Sequence, residues 1–130
     1  MIWGGLPAEV IKAAENKKIH IITSEDIIKE INQTLSYPKL KRIYEKAGIT
    51  RQELVEAAVR IGKLTEVKTK INIVHEDAAD NKFMECAFDS KADFLITGDE
   101  HLLRIERYKK TRIVSVKQFI RILKEQNCLP

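Results

Sequence analysis

Hydrophobic residues occur along the chain in two patterns, short continuous runs and stripes with helical spacing. The stripe of Ile27, Ile28, Ile31 and Leu35 is typical of an amphipathic helix. Runs rich in β-branched residues instead predict strands. Four such runs are "IHIIT" at 19–23, "INIV" at 71–74, "FLIT" at 94–97 and "RIVSV" at 112–116.

The helix boundaries carry their own signals. Ser24 is a typical N-cap, Pro38 is favoured in a first helical turn, and Thr50 with Glu53 has the spacing of a capping box. Gly48 and Gly62 follow stripes, where helices commonly end. The predicted helices cover about 7–17, 24–35, 38–48, 50–62, 80–90, 100–106 and 116–126.

Strands that alternate with helices predict an α/β protein with three layers, in which helices cover both faces of a central parallel sheet. A chain of 130 residues has the size of one domain, and it contains only three prolines and five glycines. We therefore expect a single folded domain over residues 1–130.

Composition bounds the class of protein. No apolar run reaches the roughly 20 residues of a membrane span, and the start "MIWGGLPAEV" lacks the basic segment of a signal peptide. We expect a cytoplasmic protein whose two cysteines, Cys86 and Cys128, are free thiols. The formal charge of +4 is compatible with binding a phosphate backbone and also with many other functions.

Asp99 is the first candidate for chemistry. It follows the apolar run "FLIT", and ligand sites of open parallel sheets lie beyond the carboxyl ends of the strands. The alternative is that Asp99 only caps the short helix after it.

Asp80 and Glu30 are the other two candidates. Asp80 points near the middle of the apolar face formed by Phe83, Met84, Ala87 and Phe88, where a carboxylate needs a cation, a donor or water. Glu30 lies on the flank of the isoleucine stripe. Each also has a simpler interpretation, because Asp80 is suited to a first helical turn and Glu30 to a solvated flank.

Three acids that follow different strands meet only at the carboxyl edge of the sheet. Clustered carboxylates repel one another, and a divalent cation between them relieves the repulsion. Oxygen ligands favour Mg²⁺ or Mn²⁺, which can activate water against a phosphodiester.

The segment "DNKFMECAFDSKADFLITGDEHLL" resembles the carboxyl-terminal half of PIN domains, in particular a subgroup of toxin components of toxin–antitoxin pairs. Upstream, "WGGLPAEVIKAAENKKIHIITSEDIIKEI" resembles the first helix, second strand and second acidic helix of that subgroup. The resemblance implies a metal-dependent endoribonuclease with a parallel sheet between helical layers. It also implies RNA and an antitoxin protein as partners.

The resemblance assigns Glu30, Asp80 and Asp99 to the second, third and fourth acids of the family, as catalytic residues and metal ligands. Asp77 and Asp93 are secondary acidic candidates, and Thr97 matches a small hydroxyl residue that often supports the site. The family opens with a strand ending in Asp-Thr-Asn, whose aspartate is the first ligand. No aspartate precedes Asp26 here.

We therefore expect a catalytic centre that is incomplete as the sequence stands, and a sheet without its central first strand. The flanking strands could pair directly, another chain could supply a strand, or a dimer interface could cover the edge; we expect self-association, as a homodimer or by strand completion. The alternative function is a catalytically inactive RNA-binding, protein-binding or assembly module on the same fold.

Overall fold

The computed structural model describes the backbone of residues 8–71 and 78–126, and the side chains of this part except those of residues 8 and 78–80. It contains helices and strands in alternation, as expected. The helices are α1 Ala8–Glu15, α2 Glu25–Thr34, α3 Pro38–Lys46, α4 Arg51–Ile61, α5 Ala78–Ser90, α6 Glu100–Ile105 and α7 Val116–Glu125.

The polar residues at the helix ends act as their positions predict. The Ser24 hydroxyl accepts the Ile27 N–H at 3.2 Å, and Thr50 and Glu53 form the reciprocal capping box of α4. Gly48, just after α3, has a φ of +75°, a conformation that favours glycine. Local chemistry therefore sets where these helices begin and end.

The described strands are short and form two sheets. One sheet holds β1 and β2 as a parallel pair, and the other has the order β3–β5–β4, with β3 and β5 parallel. Among the described residues no ladder joins β1 to β3, so direct pairing of the flanking strands is not observed. The strands are β1 Ile22–Thr23, β2 Lys63–Leu64, β3 Phe94–Ile96, β4 Arg107–Tyr108 and β5 Thr111–Val114.

Several strands differ from the sequence-based expectation: β1 begins at Ile22 and not at residue 19, and β2 was not predicted. The strand predicted at 112–116 ends at Val114, because Ser115 leaves the ladder to cap α7 through the Gln118 N–H. The strand β4 was not predicted; it pairs antiparallel with β5 in a tight hairpin, with a φ of +54° at Lys109. Residues 72–74 of the predicted strand "INIV" lie outside the described part of the chain.

Side chains of the β3–β5 sheet alternate between two hydrophobic clusters. Phe94, Ile96 and Val114 pack with residues of α1 and α7. Leu95 and Ile113 pack on the opposite face, in the cluster that also holds residues of α5 and α6. Because successive strand residues point to opposite faces, both faces of this sheet are covered, and the fold is a three-layer α/β/α arrangement.

Helix α5 is the element that links the two sheets. It packs against β1 and against β3, and α2 packs against it in turn. Met84 and Ala87 of this helix are buried as the predicted apolar face requires, whereas Phe88 is 37% exposed and meets Tyr108 edge to face. The buried face is also broader than expected, since it includes Asn81, Glu85 and Cys86.

No helix in the described part of the chain combines the length and the hydropathy that crossing a membrane requires.

Candidate functional site

Asp99 lies beyond the carboxyl end of β3, as the sequence predicts. Its backbone is extended, and its Oδ1 accepts the His101 N–H at 2.7 Å, so it is the N-cap of α6. The carboxylate is half-buried. Capping and ligand binding are compatible, because a carboxylate has about four lone-pair sites on two oxygens and the helix cap uses one of them.

Thr97 holds the backbone of Asp99 in place through a hydrogen bond. Its side chain is buried, and its hydroxyl oxygen accepts the Asp99 N–H at 3.0 Å. The Thr97 N–H donates in turn to the Val114 oxygen at 3.0 Å, which ties the residue to β5. The turn that presents Asp99 is therefore fixed to the sheet, a placement consistent with the supporting role predicted for Thr97.

Glu30 lies on α2, on the flank of the stripe predicted from the sequence. Ile27 is buried, Ile31 is partly buried, and Glu30 is itself partly exposed. Because α2 packs against α5, the helix that carries Glu30 is a direct neighbour of the helix that carries Asp80.

Asp80 is the third residue of α5, so its backbone lies in the first helical turn, as expected. Its side chain lies outside the described part of the structure, and so does the whole of Asp77. The convergence of Asp80 with Glu30 and Asp99 therefore stays a prediction.

Asp93 lies at the other end of β3 from Asp99. Its side chain is 80% exposed and forms an ion pair with Lys110 at 3.3 Å. A three-residue strand is about 10 Å long, and the two carboxylates are attached beyond its opposite ends. The structure thus does not bring Asp93 to the edge where Asp99 lies.

Two further acids of α5, which are not among the predicted site residues, accept hydrogen bonds from the segment 68–71. Asp89 accepts the N–H groups of Lys68 and Thr69 at 2.7 and 2.9 Å and the Thr69 hydroxyl at 2.6 Å. The buried Glu85, one turn earlier, accepts the Ile71 N–H at 2.9 Å. Their i, i+4 spacing in the sequence indicates that the two acids lie on the same face of α5.

Those hydrogen bonds change the acidity of Asp89. The Thr69 hydroxyl and N–H, with a smaller contribution from Lys68, lower the pKa of the Asp89 carboxyl below its ordinary value, since they stabilise the ionised form. Asp89 and Glu85 therefore hold the segment 68–71 against α5, and we assign them a structural role.

Cys86 is a free thiol, as predicted, and it is buried. Burial raises the pKa of the Cys86 thiol, an effect that the hydrogen bond to Ser24 opposes and the charge of Asp89 adds to. A thiol with a raised pKa stays protonated at neutral pH and is a poor nucleophile. Thr23, the neighbour of Ser24 in the chain, is also buried, and its hydroxyl has no hydrogen-bond partner among the described residues.

The chemistry of the candidate site rests on oxygen donors. Within residues whose side chains are described, no group of three His, Cys, Asp or Glu side chains is close enough to hold a metal ion. Asp99 and Glu30 nevertheless offer the carboxylate oxygens that Mg²⁺ and Mn²⁺ prefer, so the donor type fits such an ion.

Comparison with known proteins gives a family and a relative. A family model described as PIN domain matches residues 4–101 of the chain. The chain is also similar to an uncharacterized protein of Methanocaldococcus jannaschii, with 28% identity over 116 residues that cover 87% of this chain and 73% of the relative. No solved structure matches the chain. The region of the family match contains Glu30, Asp80 and Asp99.

Proposed function

The chain belongs to the PIN domain family, whose members are generally nucleases that use divalent metals, and from this premise we propose that it is a Mg²⁺- or Mn²⁺-dependent endoribonuclease. One observation carries the proposal. Asp99 stands half-buried beyond the carboxyl end of a parallel strand, on a turn fixed by the buried Thr97. That edge of an α/β sheet is where ligands bind.

In this proposal Glu30, Asp80 and Asp99 hold the metal through their carboxylates. When bound, the metal supplies an activated water and stabilises the leaving oxygen of a phosphodiester. Thr97 positions Asp99 through the hydrogen bond to its N–H. The packing of α2 on α5 supports a place for Glu30 near Asp80.

RNA is the proposed substrate because the resemblance of the sequence implies it and because the chain offers an exposed basic segment for a phosphate backbone. The α6–β4–β5 segment, residues 104–112, contains five basic side chains and one acidic side chain. All five basic residues are exposed, and the β4–β5 hairpin lies at the end of β3 that carries Asp93, since Lys110 pairs with Asp93 and Arg112 is level with Phe94. Such a surface attracts a phosphate backbone without reading its sequence.

We propose further that the acidic centre needs one more ligand. The 130 residues hold no aspartate before Asp26 to match the first acid of the family, so hydrolysis by residues 1–130 alone should be slow. Assaying RNA cleavage by these residues and by a longer form with an acid upstream tests this. Equal rates would remove the requirement for a further acid.

A role as the toxin of a toxin–antitoxin pair, in the cytoplasm, is the finer part of the proposal and rests on the subgroup resemblance of the sequence. Induced expression of the longer form with an acid upstream should arrest growth of a bacterial host, and the Asp99→Asn variant of that form at equal abundance should not. Growth arrest by both proteins, or by neither, would contradict the toxin role.

The basic hairpin supports a second candidate, an RNA-binding module that does not hydrolyse its ligand. Both candidates predict RNA binding in EDTA, but only the nuclease predicts cleavage that depends on the metal and on Asp99.

The deciding measurement is the thermal unfolding of the protein with and without Mn²⁺. Binding to the native state should stabilise it by about 2.7 kcal/mol at a hundred times the dissociation constant. The substitutions Asp99→Asn and Asp80→Asn should each abolish the rise in melting temperature that Mn²⁺ causes. Asn is itself a good N-cap, so Asp99→Asn keeps the start of α6 while removing the charge.

Asp93→Asn is the matched control, since this exposed acid at the other end of β3 should leave the rise in melting temperature unchanged. In the longer form with an acid upstream, Asp99→Asn should lower the rate of RNA cleavage about 100-fold, equivalent to about 2.7 kcal/mol of activation free energy. A Mn²⁺-dependent rise that persists in Asp99→Asn would contradict the assignment of this residue.

A further inference from the structure

Helix α7 carries exposed cations along one flank. They are Lys117, Arg121 and Lys124, at positions i, i+4 and i+7. With a turn of about 100° per residue, these positions lie within about 60° of one another around the helix axis. They span roughly 10 Å along the helix, because each residue adds about 1.5 Å. We call these three side chains the α7 stripe.

Packing and helix stability do not explain the α7 stripe. Phe119 and Leu123, on another side of the helix, supply its buried contacts. Like charges three and four residues apart repel, and Lys117 places a cation in the first turn, where the helix dipole favours an acid. Within the described part of the chain none of the three cations forms an ion pair, although Glu125 lies one turn after Arg121. The stripe therefore costs helix stability, and a bound polyanion would offset that cost.

The first turn of α7 lies at the edge of the sheet that carries Asp99. Strands β3 and β5 are parallel and end level with each other, since the Thr97 N–H donates to the Val114 oxygen at 3.0 Å. Ser115 follows β5 directly and caps α7. The α7 stripe thus begins at the carboxyl edge of the sheet.

The other end of α7 approaches the basic hairpin. Phe119 meets Phe94 edge to face, with ring centroids 5.4 Å apart, and Phe94 is level with Arg112 at the hairpin end of the sheet. The Arg112 guanidinium carbon lies 5.8 Å from the centroid of the Phe94 ring, so this cation projects onto the face that α7 covers. Helix α7 therefore runs back along the sheet from the edge of Asp99 towards the hairpin.

This course joins two features that β3 separates. Asp99 follows one end of that strand, and the basic hairpin lies at the other end. The α7 stripe places a row of cations between them. A small anion would contact only part of such a row, whereas a nucleic-acid backbone presents phosphates along its whole length.

The surface of α7 fits RNA better than it fits an acidic protein. The exposed residues of this helix are all polar, namely Lys117, Gln118, Arg121, Lys124 and Glu125. Protein interfaces usually have an apolar or aromatic centre. A phosphate backbone needs only the cations.

We propose that the α7 stripe, together with Arg112, is a track for the backbone of single-stranded RNA, which leads from the edge of Asp99 to the basic hairpin. The track rests on the proposed function for its ligand, RNA, but it does not require hydrolysis.

The test is the salt dependence of RNA binding in EDTA. Fluorescence anisotropy follows a labelled single-stranded RNA of about 15 nucleotides, a length within the range of known single-strand sites. In the variant, Lys117, Arg121 and Lys124 are changed together to Gln, which is also a good helix former. The slope of log K against log salt should become shallower by about 2, since each lost phosphate contact removes about 0.7.

Helix α3 supplies a matched control. Lys39, Arg42 and Lys46 are exposed at positions i, i+3 and i+7, so changing them to Gln removes the same charge from a similar stripe. Because α3 follows α2 and not a strand that ends beside Asp99, the slope should stay that of the wild type. Equal changes of slope in the two variants would overturn the proposal, because binding would then follow net charge.

An NMR titration of the wild type tests the track without any substitution. The amides of the α7 stripe and of Arg112 should shift with one dissociation constant, since a single RNA strand contacts them all. Missing shifts on α7, or different dissociation constants at α7 and Arg112, would overturn the track. Equal shifts at equal affinity with polyglutamate would identify an acidic protein as the ligand instead of RNA.

Cleavage takes no part in these measurements, so the track and the nuclease function can fail separately. Metal-dependent cleavage together with an unchanged slope in the α7 variant would overturn the track alone. RNA binding that depends on the α7 stripe, without cleavage by the longer form, would support the track and contradict the nuclease function.

Discussion

Carboxylates have different tasks in this protein, and their hydrogen-bond partners distinguish them. Asp99 accepts one backbone N–H as the cap of α6, while Asp89 accepts two backbone N–H groups and a hydroxyl from an extended segment. The three donors saturate much of the capacity of Asp89. Asp99 keeps more of its capacity for a ligand, which is why we place it in the metal site.

Replacing Asp89 by Asn should lower the free energy of unfolding by about 1 kcal/mol. The Asn side chain keeps one acceptor oxygen. Its NH₂ group replaces the second carboxylate oxygen and cannot accept the hydrogen bonds that this oxygen received. Chemical denaturation at pH 7 measures the change. Asp93→Asn, which removes an exposed acid with one surface ion pair, should change stability by less than half of this amount.

The pH dependence of stability follows from the lowered pKa of Asp89. A carboxyl whose pKa is lower in the folded state contributes stability that is fully present above the unfolded pKa of about 3.9. That contribution is lost as the pH falls through the folded pKa. The difference in stability between the wild type and Asp89→Asn should therefore shrink below about pH 4; a difference that grows there would contradict the assignment.

At the scale of elements, short strands depend on close packing at their ends. Gly62 ends α4 immediately before β2, and its backbone passes close to Thr23 of β1. A Cβ at Gly62 would lie 2.9 Å from Thr23 Cγ2 and 3.0 Å from the Ala58 oxygen. This glycine is needed for the close approach of α4 to β1, since its own φ of −78° suits any residue.

Gly62→Ala should destabilise the protein by about 1–3 kcal/mol, because the Thr23 side chain is buried and the Ala58 oxygen belongs to the backbone. Gly98→Ala is the matched control, since a Cβ there meets nothing within 4 Å. Thermal or urea unfolding of both variants gives the comparison. Equal stability of the two would mean that β1 and β2 shift to accept the methyl group.

At the scale of the whole molecule, charge is unevenly distributed. The α6–β4–β5 segment, residues 104–112, carries an excess of positive charge equal to the net charge of the chain. Two of its cations have acidic neighbours, Arg104 with Glu100 at 3.9 Å and Lys110 with Asp93 at 3.3 Å. Arg107 and Lys109 are exposed on the same hairpin and are the best candidates for contacts with RNA phosphates.

Changing Arg107 and Lys109 together to Ala should weaken binding of single-stranded RNA in EDTA. The slope of log K against log salt should become shallower by about 0.7 for each phosphate that the protein no longer neutralises. Lys39 and Lys41 on α3 are a matched control pair of exposed cations on another element. Fluorescence anisotropy at several salt concentrations measures the slopes. Equal weakening in both double variants would mean that binding follows net charge and not the hairpin.

Sequence patterns predicted the order of the main elements and several of their boundaries, because caps and amphipathic stripes act over a few neighbouring residues. Ser24, Thr50 and Glu53 could be assigned correctly for this reason. The position of Asp99 after β3 was predictable as well, since a strand that ends in a polar turn places that turn at the sheet edge.

Only the tertiary structure decided which distant segments meet. The sequence contains Glu85 and Asp89 as ordinary helix acids, and their partners at 68–71 lie 14 to 21 residues away. The β1–β2 pair and the burial of Thr23 likewise arise from long-range packing. Such packing depends on which surfaces exclude water together, and local sequence patterns do not contain that information.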